Sequence, residues 1–226
     1  MATDRIVLAV DVGGSHVKAL TSNESERRRF ESGPSLTAEQ MVAGVLEAVD
    51  GWAWDVVSVG IPAPVRGGKV VAEPVNLGEG WVAFDYERAF GKPTKLVNDA
   101  VMQAVGSYKG GRMLFLGFGT GLGSTLIADG VIEPLELGHL PFRKKTFEDY
   151  VGERGLEKLG KKKWRKAVFE TVERLTAAMQ PDEVVLGGGG IDELDELPPG
   201  CRRGANENAF VGGFRLWDPD SGLRER

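Results

Sequence analysis

The sequence predicts an α/β fold built from two similar halves. Short apolar runs alternate along the chain with stretches of helical period. Two of these runs, Ile6-Val7-Leu8-Ala9-Val10 and Met113-Leu114-Phe115-Leu116, lead directly into glycine-rich turns. The turns are Asp11-Val12-Gly13-Gly14-Ser15 and Gly117-Phe118-Gly119-Thr120-Gly121-Leu122-Gly123-Ser124, and a returning apolar run follows each. Each half therefore opens with strand, glycine turn and strand, a duplication of architecture without a sequence repeat. In mixed α/β folds a ligand sits at the strand ends that carry such loops.

The remaining elements follow in order. Strands are expected over 6–11 and 17–22, with a turn through 23–25. Met41, Val42, Val45, Leu46 and Val49 share one helical face, which predicts a helix over 38–49 with Thr37 as its N-cap. The run 56–61 is apolar and rich in β-branched residues, and Pro62 and Pro64 stop it, so it is a strand. Residues 69–72 form a short hairpin arm after Arg66-Gly67-Gly68. A short helix over 86–90 precedes a strand over 94–97 that ends at Asn98-Asp99, and a helix over 100–108 follows. Strands over 112–117 and 123–128 flank the second glycine loop, and Asp129-Gly130 makes a tight turn. Helices are expected over 147–158 and 164–178. A strand over 183–186 runs into Gly187-Gly188-Gly189-Gly190, and a helix over 206–217 closes the fold. The polar tail from Asp218 is expected to fray.

A chain of 226 residues can bury a substantial core as one large domain or two lobes. Hydrophobic residues make up 42% and charged residues 27%, the balance of a soluble globular protein. A net charge of -5 argues against whole-chain affinity for nucleic acid. The single cysteine, Cys201, can make neither an internal disulfide nor a Cys-rich zinc site, which points to the reducing cytoplasm. The first apolar run is interrupted by Asp11 and closely preceded by Asp4 and Arg5, so it is expected to be a buried strand and not a signal segment. No stretch approaches the length needed to span a membrane, and no membrane partner is expected.

The loops carry the chemistry. Glycines at strand ends expose backbone N–H groups that can cradle phosphate oxygens. In Asp11-Val12-Gly13-Gly14-Ser15 with Lys18 beyond it, Gly13, Gly14, Ser15 and Lys18 suit a phosphate. Asp11 suits a magnesium ion held through water. A simple glycine hairpin is the competing reading. The spacing is neither that of a Walker A loop nor G-x-G-x-x-G. Gly119, Thr120 and Gly121 lie in the more specific second loop, whose alternating glycines cost conformational entropy that a close backbone approach would justify. Asn98-Asp99, between the two loops, suits binding and deprotonation of a hydroxyl, and Asp99 equally suits a helix N-cap. Positioned phosphates, a metal ion and such a base are most of what phosphoryl transfer requires. Glu136 and His139 stand three residues apart, suited to gripping vicinal hydroxyls, with a surface loop or a metal ligand as alternatives. Asn76-Leu77-Gly78-Glu79-Gly80-Trp81 offers an amide for sugar hydroxyls and an aromatic ring for a sugar face, or else is an ordinary surface loop.

In this order and spacing, residues 11–18, Gly60-Ile61-Pro62, 76–81, Asn98-Asp99, 117–124, 136–139 and 187–190 resemble the ROK sugar kinases of the actin-like ATPase superfamily. The resemblance spans nearly the whole chain. It implies a two-lobed actin-like (ribonuclease H-like) fold with a central cleft. The N-terminal lobe would be 1–98, completed by the closing helix 206–217, and the C-terminal lobe 99–205. It implies transfer of a terminal phosphoryl group to a hexose hydroxyl, with glucose to glucose 6-phosphate as the leading case. Asp99 would be the base. Asn76, Asn98, Asp99, Glu136 and His139 would hold the sugar, and Gly188 and Gly189 would lie near the nucleotide's adenosine.

Within the family the chain looks closest to polyphosphate-dependent glucokinases, through 150–164 with Gly160-Lys161-Lys162-Lys163-Trp164 and through Pro181-Asp182 and Gly187-Gly188-Gly189. No Cys-rich zinc motif follows 136–139. That branch also lacks it, so Mg2+ and no zinc is the expected metal complement. Pro62-Ala63-Pro64 departs from the family's usual Pro-Gly pair. The stretch 143–166 holds ten Lys and Arg against four acids. This is a local positive field that could draw a polyanionic donor, or a solvated helical face. The donor is thus polyphosphate or ATP. A sugar-binding regulator and a carboxylate kinase are the competing functions. A regulator of this family would carry a DNA-binding domain ahead of the first strand, where the sequence leaves no room, and 136–139 favours sugar over carboxylate. Similar proteins commonly form homodimers, although no interface signal stands out here.

Overall fold

The computed structural model describes residues 5–205 and 207–225. Asn206, where the closing helix was expected to begin, lies outside them. The chain divides into two compact units, Met1–Gly106 with Ala209–Ser221, and Ser107–Asn208 with Gly222–Arg226. The division falls one helix later than the boundary at 98–99 expected from the sequence.

The first unit runs β1 (Val7–Val12), β2 (His16–Thr21), β3 (Arg28–Glu31), α1 (Ala38–Ala48), β4 (Val56–Ile61), a hairpin of β5 (Val65–Arg66) and β6 (Lys69–Val70), α2 (Tyr86–Phe90), β7 (Thr94–Asn98) and α3 (Asp99–Ser107). Its main sheet has the order β3-β2-β1-β4-β7. The pairs β1/β2 and β2/β3 are antiparallel, and β1/β4 and β4/β7 are parallel. β1 and β4 are buried almost throughout, as central strands covered on both faces must be, whereas β2 alternates. β3 was not expected. Its arginines hide the period, and only Phe30 packs inward, into space that Gly44 leaves open. α1 begins with a full capping box between Thr37 and Gln40.

The second unit continues with β8 (Arg112–Phe118), β9 (Leu122–Ala128), β10 (Val131–Leu135), a hairpin of β11 (Pro141–Phe142) and β12 (Lys145–Thr146), α4 (Phe147–Val151), α5 (Glu153–Leu159), α6 (Lys161–Met179), β13 (Glu183–Gly187) and β14 (Cys201–Arg203). The chain then returns to the first unit with α7 (Asn208–Arg215) and ends on β15 (Arg224–Glu225) in the second. The second sheet is β14-β13-β8-β9-β10-β15. Read from β10 to β14, it repeats the strand order and the antiparallel and parallel pairings of the first. The duplication inferred from the two glycine turns therefore extends to whole sheets.

Several elements differ from the sequence reading. The tail, expected to fray, instead forms β15, which pairs with β10, Val131 opposite Arg224. The helix expected over 147–158 breaks at Gly152. A side chain there would place its Cβ 2.5 Å from Thr120 O, so only glycine lets the second glycine loop approach. α6 begins at Lys161, three residues earlier than expected, so the three lysines form its first turn. In the first unit α7 is seated by Gly212 and Gly213. Cβ atoms there would fall 1.8 Å from Met102 O and 2.6 Å from Ala9 Cβ. Ser58 donates to Gly213 O (2.7 Å) and accepts from Trp217 Nε1 (3.0 Å), which ties that helix to β4.

Candidate functional site

In the first unit the predicted residues collect at the carboxyl ends of the parallel strands. Asp11 on β1 pairs with Gly60 on β4, which pairs with Val97 on β7, so Asn98 sits one position further along the same end. The Asp11 carboxyl is largely buried and 3.4 Å from Lys18 Nζ. Burial raises its pKa, and the charges of Lys18 and Arg27 pull it partly back. The Gly13 N–H is committed to His16 O (3.0 Å) and its carbonyl to the Ser32 hydroxyl (2.6 Å). Gly14 and Ser15 are the exposed residues of that turn.

Asn98 ends β7 and donates from Nδ2 to Ala63 O (3.2 Å), so the Pro62-Ala63-Pro64 segment orients its amide. Asp99 is the first residue of α3. The Ala100 N–H donates to both Asn98 Oδ1 (2.9 Å) and Asp99 Oδ1 (2.8 Å), so capping is shared between the two side chains. Gly60 makes this placement possible: a Cβ there would lie 2.7 Å from Met102 Cε and 3.4 Å from the Asp99 Cα.

Asn76 is exposed on the loop that precedes α2. Beneath it Leu77 is buried, and Gly78 donates to Leu36 O (3.0 Å) with no room for a side chain against Ser35. The expectation that Trp81 offers its ring to a sugar is overturned. Trp81 is fully buried in the first core, with its indole N–H directed at Leu36 O (3.3 Å). An aromatic next to glycines looks exposed in sequence, but burying so large an apolar ring is worth more than leaving it in water.

In the second unit, β8 and β9 are joined by a turn in which Gly119 and Thr120 are exposed. Ser124, at the end of that glycine motif, is buried and structural. It donates to Leu135 O (2.9 Å) and accepts from Leu137 N (3.0 Å), which fixes the start of the 3₁₀ turn Leu137–His139. His139 Nε2 lies 3.5 Å from Glu136 Oε2, and His139 Nδ1 lies 3.5 Å from Glu148 Oε1. Burial raises the Glu136 pKa, His139 opposes that, and the Glu148 charge adds to it.

Glu148 carries no signal of a site in the sequence, where it is one acid within a basic stretch. Its place comes from the 141–146 hairpin, which folds the chain back so that α4 stands over the glycine turn. A Cβ on Gly121 would lie 2.8 Å from Glu148 Oε2, and one on Gly138 3.5 Å from Glu148 Cβ. The second phosphate-type loop and the acid–imidazole–acid group are thus in direct contact. Gly188 adopts φ 81°, and a Cβ there would meet Phe118 O at 2.3 Å, so the Gly188-Gly189 turn lies against the residue before Gly119.

The basic stretch is partly neutralised. Arg143 pairs with Glu170, Lys145 with Asp149, Lys161 with Glu193 (3.1 Å) and Arg165 with Asp195. Glu193 ends the 3₁₀ turn that starts at Gly189, so the lysine-rich start of α6 adjoins that turn. Lys161, Lys162 and Lys163 are exposed, and no side chain caps the helix they open. Positive charge at a helix N-terminus opposes the helix dipole, so local helix stability does not account for three lysines there.

A five-stranded sheet and a six-stranded one that repeats its strand order, each opening on a glycine turn, are the actin-like fold of the ROK proteins, and comparison with solved structures bears this out. The chain superposes on the inorganic polyphosphate/ATP-glucomannokinase of Arthrobacter sp. strain KM with a TM-score of 0.82 at 22% identity, covering 94% of this chain and 98% of that one. A ROK family glucokinase from Streptomyces griseus, in complex with glucose and AMPPNP, gives 0.75 at 16% identity over 93% and 98%. A ROK family transcriptional regulator shares the fold as well, with a TM-score of 0.71 at 12% identity over 92% and 76%. In sequence the chain is similar to the polyphosphate glucokinase of Mycobacterium tuberculosis (strain ATCC 25618 / H37Rv). The two are 27% identical over 219 residues, 87% of this chain and 82% of that protein. No family model matches.

Proposed function

We propose that the chain is a sugar kinase that transfers the terminal phosphoryl group of polyphosphate or ATP to a hexose, converting glucose to glucose 6-phosphate. The observation that carries this reading is the contact between Gly121 and Glu148, because it joins a phosphate-type turn to carboxylates and an imidazole suited to a polyhydroxyl ligand. Similarity to polyphosphate glucokinase supports the acceptor and the donor. In this reading Asn76, Asn98, Glu136, His139 and Glu148 hold the hydroxyls that do not react. Asp99 takes the proton from the reacting hydroxyl as its oxygen bonds to the terminal phosphorus. The bond from that phosphorus to the rest of the donor breaks, releasing ADP or a polyphosphate one unit shorter. Gly14, Ser15 and the 119–121 turn cradle phosphate, and Gly188 and Gly189 lie by a nucleotide when ATP is used.

Magnesium fits this set of residues as a companion of the donor. It characteristically takes one or two carboxylates and completes its shell with substrate phosphates and water, and the Asp11 carboxylate supplies such a ligand. When bound, the ion would neutralise phosphate charge. The Lys18 charge offsets part of the cost of burying the Asp11 carboxylate. Among the described residues no helix is long and apolar enough to cross a membrane, and the one cysteine is free. The latter fits a reducing cytoplasm.

The test is a screen of the purified chain with hexoses and acetate, each crossed with ATP and polyphosphate, following the phosphorylated product. Glucose 6-phosphate from either donor is the expected result. Glucose binding without transfer from any donor would replace the kinase by a sugar-binding regulator, and acetyl phosphate would replace it by a carboxylate kinase.

A further inference from the structure

The loop between β6 and α2 carries Asn76 at its exposed turn and contains no regular structure. A segment of this kind is ordered only where its backbone groups find partners. Its inner side is held by the buried Leu77, by Gly78 against Leu36 and by the buried Trp81. Its two ends are brought together by a single side chain. The Glu73 carboxylate accepts the Trp81 N–H at Oε2 (3.0 Å) and the Val82 N–H at Oε1 (3.2 Å). These are adjacent main-chain donors, and both oxygens of one carboxylate are used. The Trp81 carbonyl in turn accepts the Tyr86 hydroxyl (3.2 Å), and burial together with the Glu73 charge lifts that hydroxyl well above the ordinary tyrosine pKa.

We propose that Glu73 is a positioning residue for the sugar acceptor, holding Asn76 in place by closing its loop through the Trp81 and Val82 amides. The proposal rests on the reading of Asn76 as a sugar-binding residue. Glu73 acts through the loop, so its removal should weaken glucose binding and leave the donor side and the chemical step alone. A carboxylate hydrogen-bonded to two backbone amides is stronger than a neutral acceptor, so glutamine, with one acceptor oxygen, should restore only part of the effect.

The experiment compares Glu73→Ala, Glu73→Gln and Asn76→Ala in steady-state kinetics with glucose, ATP and polyphosphate, together with amide hydrogen exchange at Trp81 and Val82. Loss of the paired bonds in Glu73→Ala should raise the glucose KM by about threefold or more while kcat and donor KM stay within about twofold. Glu73→Gln should fall between it and the wild type. Exchange at Trp81 and Val82 should accelerate in Glu73→Ala. A raised glucose KM in Asn76→Ala with an unchanged one in Glu73→Ala overturns the positioning role while leaving the sugar site intact. Equal losses in glucose and donor KM, or unaltered exchange at both amides, also overturn it. An unchanged glucose KM in Asn76→Ala overturns the sugar-binding reading of the loop and the role of Glu73 with it.

Discussion

Two neighbouring glycines, Gly188 and Gly189, should respond to the same substitution with opposite sign. Gly188 has φ 81° and ψ 161°, a region of backbone space populated almost only by glycine. Alanine there costs about 1–3 kcal/mol in strain. Its Cβ would also lie 2.3 Å from Phe118 O, 2.7 Å from Phe118 C and 2.8 Å from Phe118 N, backbone atoms that cannot rotate aside. Forcing such an overlap apart adds about 1–3 kcal/mol. The combined loss of about 2–6 kcal/mol, at about 2–4 °C per kcal/mol for a chain of this size, lowers Tm by about 4–24 °C. At Gly189 a Cβ meets nothing within 4 Å, and φ lies outside the left-handed region. Alanine there mainly restricts the unfolded chain and stabilises by about 0.4–1 kcal/mol. Phe118 directly precedes Gly119, so Gly188→Ala should also raise donor KM. Thermal and urea unfolding of both variants, with ATP and polyphosphate kinetics, is the assay. Equal Tm changes in the two variants would refute the argument from backbone geometry.

Three other outcomes are expected. Asp99→Asn should lower kcat by about 10²–10⁴-fold, as the loss of a general base does. It should leave Tm nearly unchanged, because Asn98 Oδ1 still caps Ala100; near-normal turnover would remove Asp99 from the base role. Glu136→Ala and His139→Ala should each weaken glucose binding in calorimetry by about 0.5–1.5 kcal/mol, or more for a charged partner, and leave donor binding unchanged. Unaltered glucose affinity in both would leave an ordinary surface loop. Replacing Lys161, Lys162 and Lys163 together by glutamine should raise KM for polyphosphate far more than for ATP. That difference should shrink as salt rises, since exposed charges are screened over about 10 Å at 0.1 M. Wild-type behaviour with both donors would reduce these lysines to a solvated helical face.

The amino-acid sequence by itself determined the parts of this protein that local sterics control. Glycine clusters after apolar runs mark the two turns because only residues without side chains allow them. The positions of β1, β4, β8 and α1 follow from periodicity and from Thr37. The strand orders of the two sheets, and with them the likeness in fold to ROK kinases, were legible only as a resemblance of ordered motifs. Tertiary structure decided the rest, because the interactions responsible join residues far apart in the chain. β15 exists because Arg224 finds Val131 and Gly130, and nothing in the polar tail announces that pairing. Trp81 is core because Leu36 offers a carbonyl and the first unit a cavity for its ring. Ser124 became a structural anchor because β10 brings Leu135 to it. Glu148 joined His139 because a hairpin whose Phe142 is buried turned α4 back over Gly121. That placement depends on volume and packing, which residue types alone do not encode.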